Sequence, residues 1–135
     1  MQPIEIVQKM LASDAFSKWL GIELVTVAQG TCQTKMVVRE EMTNGFQIAH
    51  GGITFSLSDS ALAFAANTYG YQCVSIETSI AHLKPVNIGD VLTATCVEIN
   101  RSSSIGKYEV KVQNQDNLLV SHFMGTVYVT KKRWA

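Results

Sequence analysis

Residues 53–69 carry Phe55, Leu57, Ala61, Leu62, Phe64, Ala65 and Ala66, and their one charged side chain is Asp59. A helix this apolar on every side has to be buried. The rest of the chain must therefore wrap it, and that demand limits the fold more than any other feature of the sequence. The longest unbroken apolar run, residues 61–66, is far too short to cross a bilayer. With 135 residues, 47% apolar and 16% charged, the chain has the size and composition of one globular domain. The expected unit is residues 1–135, with residues 1–20 as an N-terminal helical segment.

The flanking patterns supply the wrapping. Residues 4–20 read as helical, with Ser13-Asp14 capping a second short turn that carries Phe16, Trp19 and Leu20 and stops at Gly21. Residues 22–28 and 31–38 form a hairpin about Gln29-Gly30, with Cys32, Thr34, Met36 and Val38 alternating against polar neighbours. Residues 39–50 have no period and contain the Asn44-Gly45 turn signal, so they read as an irregular loop. Beyond the helix, residues 73–83, 91–100, 105–114 and 118–130 read as strands, with Lys131, Lys132 and Arg133 as a solvated end. Short connections between strands imply antiparallel pairs. The expected class is α+β, a curled antiparallel sheet around one long helix.

Charge and cysteine content exclude several functions. Lys plus Arg is 11 and Asp plus Glu is 11, so the net charge is zero. That lacks the electrostatic footprint of a nucleic-acid or anionic-membrane binder, and it does little to oppose self-association. Cys32, Cys73 and Cys96 are widely spaced and form no CxxC pair. Neither a disulfide scaffold nor a zinc site is indicated, and no His/Asp/Glu cluster has metal spacing. The N-terminus shows no secretory pattern. The expected location is the cytoplasm, with no cofactor and no metal.

The chemistry-bearing residues cluster at the start of the apolar helix. His50-Gly51-Gly52 leaves backbone N–H groups uncovered where a helix has no internal partner for them and a positive dipole end. Such a mouth can hold a carbonyl oxygen and the oxyanion formed when that carbonyl is attacked. Asp59 lies further along, among Phe55, Leu62 and Ala63, with only Ser56 polar. Desolvation there tends to raise a carboxyl pKa and improves it as a base. Two plainer readings stand beside this one. Ser56 and Asp59 also fit a capping box, and Gly51-Gly52 also fits a flexible entry turn with His50 as a satisfied turn histidine.

The segment from Asn44 through His50-Gly51-Gly52 and Phe55-Ser56-Leu57-Ser58-Asp59 to Asn67 closely resembles the hotdog-fold acyl-CoA thioesterases of the phenylacetate-degradation type. Lys84-Pro85-Val86-Asn87-Ile88-Gly89-Asp90 matches the Pro-x-x-x-Gly-Asp turn of that family, and the likeness extends over residues 14–129. The resemblance implies a hotdog fold, a homodimer paired again into a homotetramer, and active sites between protomers. It implies that Asp59 attacks the thioester or activates water, that the Gly51 N–H polarises the carbonyl, and that Asn44 places substrate or water. His50 would support the loop and Ser75 would help position water. Asn44 and Gly51 would come from one chain, Asp59 and Ser75 from its partner.

The expected activity is hydrolysis of an aryl- or fatty-acyl-CoA to the carboxylic acid and free coenzyme A. Gly52, Phe46 and Phe55 are candidate substrate contacts, with Leu62 and Phe64 as further possible walls. The alternatives are a hotdog hydratase or dehydratase of enoyl thioesters, using Asp59 with His50, and a non-catalytic acyl-CoA-binding hotdog protein. His82 and His122 read as core or interface histidines, and Met36, Met42 and Met124 as core. Arg101, Lys84, Lys107 and the basic tail read as surface charge. Ser56, Ser58 and Ser60 lack the G-x-S-x-G elbow of a serine hydrolase.

Overall fold

The apolar segment forms helix α3, Gly51–Asn67, and six strands curl about one side of it. The computed structural model describes residues 1–135. Before α3 come α1 (Pro3–Ser13), α2 (Ala15–Leu20), β1 (Glu23–Ala28) and β2 (Thr31–Val37). After it come β3 (Tyr71–His82), β4 (Val91–Arg101), β5 (Ile105–Gln113) and β6 (Leu119–Arg133). All pairs are antiparallel and the sheet order is β1-β2-β4-β5-β6-β3, so β1 and β3 are the edges. This is the expected hotdog architecture.

Alternation along the strands builds the concave face. Cys32 and Met36 of β2, Leu92 and Cys96 of β4, Val110 and Val112 of β5, and Phe123 and Val127 of β6 are all buried. Against them α3 presents Leu57, Ala61, Leu62, Phe64 and Ala65, also buried. Leu62 of the helix lies over Gly125 of β6, where an added Cβ would be 2.5 Å from Leu62 Cδ2 and 3.2 Å from Phe123 Cε1. A side chain there would force Leu62 to shift within a close-packed core.

Burial of α3 is one-sided. Ser56, Asp59, Ser60 and Ala63, with Phe55 at the edge, form a half-buried stripe that the sheet does not cover. The sheet supplies a single concave face, and α2 touches only part of the stripe, where Ser17 Oγ sits 2.8 Å from Ser60 Oγ. The C-terminal end of α3 is clamped instead by Arg101. Its guanidinium donates to Ala66 O at 2.9 Å and to Tyr108 Oη at 2.8 Å, and it stacks 4.0 Å from the Tyr69 ring centroid. A cation at the last helical carbonyls suits the negative end of the dipole. Arg101 is thus a half-buried structural group and not free surface charge.

Several boundaries differ from the sequence pattern. Asp14 does cap α2, accepting from Ser17 N at 2.9 Å, and Gly21 ends it at φ 77°. Residues 131–133 continue β6, with Arg133 opposite Tyr71, because β3 is long enough to pair with them. His82 is exposed at the end of β3. His122 is half-buried on the outer face of β6, with Nε2 3.0 Å from Glu109 Oε2. Neither is a core histidine. Met36 and Met42 are buried, whereas Met124 faces outward, half-buried. No helix is long and apolar enough to cross a membrane.

The Gly125 contact makes a direct prediction. Gly125→Ala inserts a methyl group where Leu62 already sits, and overpacking of this kind costs about 1–3 kcal/mol. Urea denaturation should show a lower midpoint with an unchanged slope.

Candidate active site

The loop before α3 is an ordered clasp. Asn44 N donates to Ile48 O at 2.8 Å and Gln47 N to Asn44 O at 3.0 Å, with Gln47 at φ 62°. Thr43 and Ala49 form a bridge, Ala49 N donates to Val86 O at 2.7 Å, and His50 N donates to Met42 O at 2.8 Å. Asn44 Oδ1 accepts from Phe46 N at 2.9 Å and from Ile48 N at 3.4 Å. Those bonds identify the amide oxygen and leave the Nδ2 donors for the cleft beside it.

Capping decides which backbone donors at the helix mouth stay free. His50 O accepts from Ile53 N at 2.9 Å, and His50 Nδ1 accepts from Gly52 N at 2.8 Å. Gly51 N–H has no partner within the chain. His50, not Ser56, is the N-cap, so the capping-box reading of Ser56 and Asp59 falls. The two glycines are the first helical residues, each lying against an imidazole. A Cβ at Gly51 would be 3.1 Å from His82 Nε2, and one at Gly52 would be 3.0 Å from His50 Nδ1.

Gly51 opens into a cleft of about 400 Å³ shared by Asn44, Thr54, His82, Lys84 and the apolar Ile48 and Val86. His50 and Gly52 line a separate recess of about 320 Å³ with Phe16 and Ser56. Asn44 and Gly51 therefore converge, while His50 works from behind as a cap. His82 completes the cleft and is the residue that the alternation pattern alone missed. Its signal is positional: it ends the strand that follows the helix, two residues before the Lys84-Pro85 turn that closes the same cleft.

The other candidates stand apart. Asp59 is eight residues along α3 from Gly51, about 12 Å at the helical rise. Burial pushes its carboxyl pKa up, and no charge or hydrogen bond within the chain offsets this. His50 is further still from Asp59 along the same helix, so the acid–base pair of a hydratase does not form within one chain. Ser75 is exposed on the edge strand β3, beside a bulge between Ser75 and Glu77. Phe46 sits on the loop tip, 86% exposed, and lines neither the Gly51 cleft nor the His50 recess. Phe55 packs edge-on to Phe123 with ring centroids 5.5 Å apart, and Leu62 and Phe64 are core.

The cap can be separated from the chemistry. His50→Ala removes the acceptor of Gly52 N–H and should lower stability by about 1 kcal/mol, whereas His50→Asn should recover most of it. Thermal unfolding of the two variants reads the difference.

Comparison with known proteins places this geometry. Residues 46–121 match the thioesterase superfamily. The acyl-coenzyme A thioesterase PaaI of Escherichia coli is 37% identical over 116 residues, covering 86% of this chain and 83% of that protein. The solved structure of the E. coli PaaI protein superposes with a TM-score of 0.95 at 33% identity, over 97% of this chain and 95% of that one. A hypothetical thioesterase of Streptococcus pneumoniae, solved with coenzyme A, superposes with a TM-score of 0.88 at 26% identity, covering 94% and 99%. On sequence and fold together, this chain belongs to the thioesterase superfamily.

Proposed function

We propose that the chain hydrolyses acyl-CoA thioesters to the carboxylic acid and free coenzyme A, at a site completed by a second copy of itself. The observation that carries this reading is the unpartnered Gly51 N–H beside the free Asn44 amide. Two preorganised donors at the positive end of a helix stabilise the negative charge that develops on an attacked thioester oxygen. Relatives that are named acyl-coenzyme A thioesterase, and one solved with coenzyme A, support the substrate class. The acyl group is aryl or fatty, with Gly52, Phe46 and Phe55 as candidate contacts once two chains meet.

Asp59 supplies the attacking or water-activating carboxylate, and Ser75 helps place the water. The helical rise puts Asp59 about 12 Å from Gly51 in the same chain, too far for both to touch one carbonyl. A symmetric dimer resolves this by bringing Asp59 and Ser75 of the partner to Asn44 and Gly51. Two features support the pairing. The half-buried stripe of α3 around Asp59 lacks a cover, and β3 is an edge strand with Val74 and Ile76 56% and 58% exposed. Val74, Tyr128 and Ile105 align across β3, β6 and β5 on the outer face, all exposed, and suit a further pairing into a tetramer. Three free thiols suit a reducing cytoplasm.

Thiol release from a panel of aryl and fatty acyl-CoAs tests the reading. Asp59→Asn should cut release at least about 100-fold. Burial raises the Asp59 pKa, so the folded chain holds that proton more tightly than the unfolded chain. The associated stability is complete below the ordinary carboxylate range and is lost as pH rises through the raised pKa. Asp59→Asn cannot ionise and should unfold at neutral pH no earlier than wild type. Release by wild type on no substrate would refute the assignment.

The shared site has its own test. Asn44→Asp keeps the turn-making oxygen but loses the amide donor. Coexpressed with Asp59→Asn, it should restore up to about a quarter of wild-type activity, since half the dimers carry one intact site. Absence of any complementation would place Asn44 and Asp59 in the same chain's site.

A further inference from the structure

His82 has a role that the helix-mouth glycines and Asp59 do not fill. It ends β3, exposed on the open side of the cleft, with its ring across Gly51. Thr54 Oγ1 is 3.1 Å from Gly51 O and 3.3 Å from His82 Nδ1. The hydroxyl has one proton. Both contacts are satisfied only if Thr54 O–H donates to Gly51 O and His82 Nδ1–H donates to Thr54 Oγ1. In the neutral imidazole that assignment leaves Nε2 as the acceptor, with no partner in the chain, at 3.1 Å from the point where a Gly51 Cβ would be. The cleft therefore presents donors at Gly51 N–H and Asn44 Nδ2 and one basic nitrogen, oriented by a third group as activated bases are. Lys84 is the only other titratable side chain lining it and, as an ammonium, has no lone pair to offer.

We propose that His82 is the general base for the hydrolytic water, which assigns Asp59 to nucleophilic attack. The inference rests on the acyl-CoA hydrolase reading. In the first step an Asp59 carboxylate oxygen bonds to the thioester carbonyl carbon and the C–S bond breaks. The coenzyme A thiolate leaves and takes a proton from solvent. In the second step a water held by Nε2 attacks the acyl carbonyl of the resulting anhydride, and its proton passes to Nε2. The bond from that carbon to Asp59 breaks, returning the carboxylate and releasing the acid, and Nε2 gives its proton to solvent. Thr54 is a positioning residue that fixes the ring through Nδ1.

Rapid-mixing measurement of thiol release, with the best acyl-CoA of the panel, tests this. Wild type should turn over steadily. His82→Ala should show a burst of about one thiol per site, then a steady rate about 100-fold lower. Added imidazole should raise the steady rate and leave the burst unchanged. His82→Gln, which fills the space without a comparable base, should show the burst and no rescue. Thr54→Val should lower the steady rate partway, with no further loss when combined with His82→Ala, because the two act as one unit. A steady rate for His82→Ala within about twofold of wild type would overturn the proposal alone. So would a loss without burst or rescue, since the residue would then serve binding. Wild type that releases no thiol would instead refute the hydrolase reading, and this inference with it.

Discussion

The remaining structure rests on the close packing of α3 against the concave face of the sheet, with Leu62 lying over the bare backbone of Gly125 on β6. With the middle of the helix pinned to β6, its N-terminal end comes out at the rim, beside the end of β3 and the residue 43–50 clasp. Its C-terminal end reaches Arg101, which donates to Ala66 O and is itself held by Tyr108 Oη and the Tyr69 ring. Tyr108 Oη is held between Arg101 and Glu98, and burial together with the Glu98 hydrogen bond drives its pKa far up. A helix held at its middle and one end presents its other end rigidly, as electrostatic stabilisation of a transition state requires.

The helix mouth divides its donors by capping. His50 consumes two of the first three N–H groups, one with its ring and one with its carbonyl, and leaves Gly51 for the ligand. A Ser or Asp cap would also have spent an N–H, but without a ring packed against Gly52. The glycines are then explained by sterics and not by flexibility, since both are helical and each faces an imidazole at the place of its missing Cβ.

Much of this was legible in the chain. While the meeting of Asn44 and Gly51 was implied only by the family resemblance, the order of elements and the burial of the helix followed from apolar periodicity, because that pattern reflects local geometry. The cap of α2 by Asp14 and the stop at Gly21 were equally readable for the same reason. His82, Arg101 and the extension of β6 were not. Each depends on a neighbour far away in sequence: Thr54 and Gly51 for His82, Ala66 for Arg101, and Tyr71 for Arg133. An alternating strand pattern tells which face a residue takes, but not what stands opposite once a strand runs past the core.

By itself the sequence determined that one apolar helix would pack against antiparallel strands and that Gly51 and Asp59 would lie about two helical turns apart, since helical rise depends on spacing alone. Tertiary structure alone decided which mouth N–H stays free, which histidine enters the cleft and which stripe of α3 is left uncovered. Those outcomes follow from how strands of different lengths curl over a helix that one concave face cannot surround.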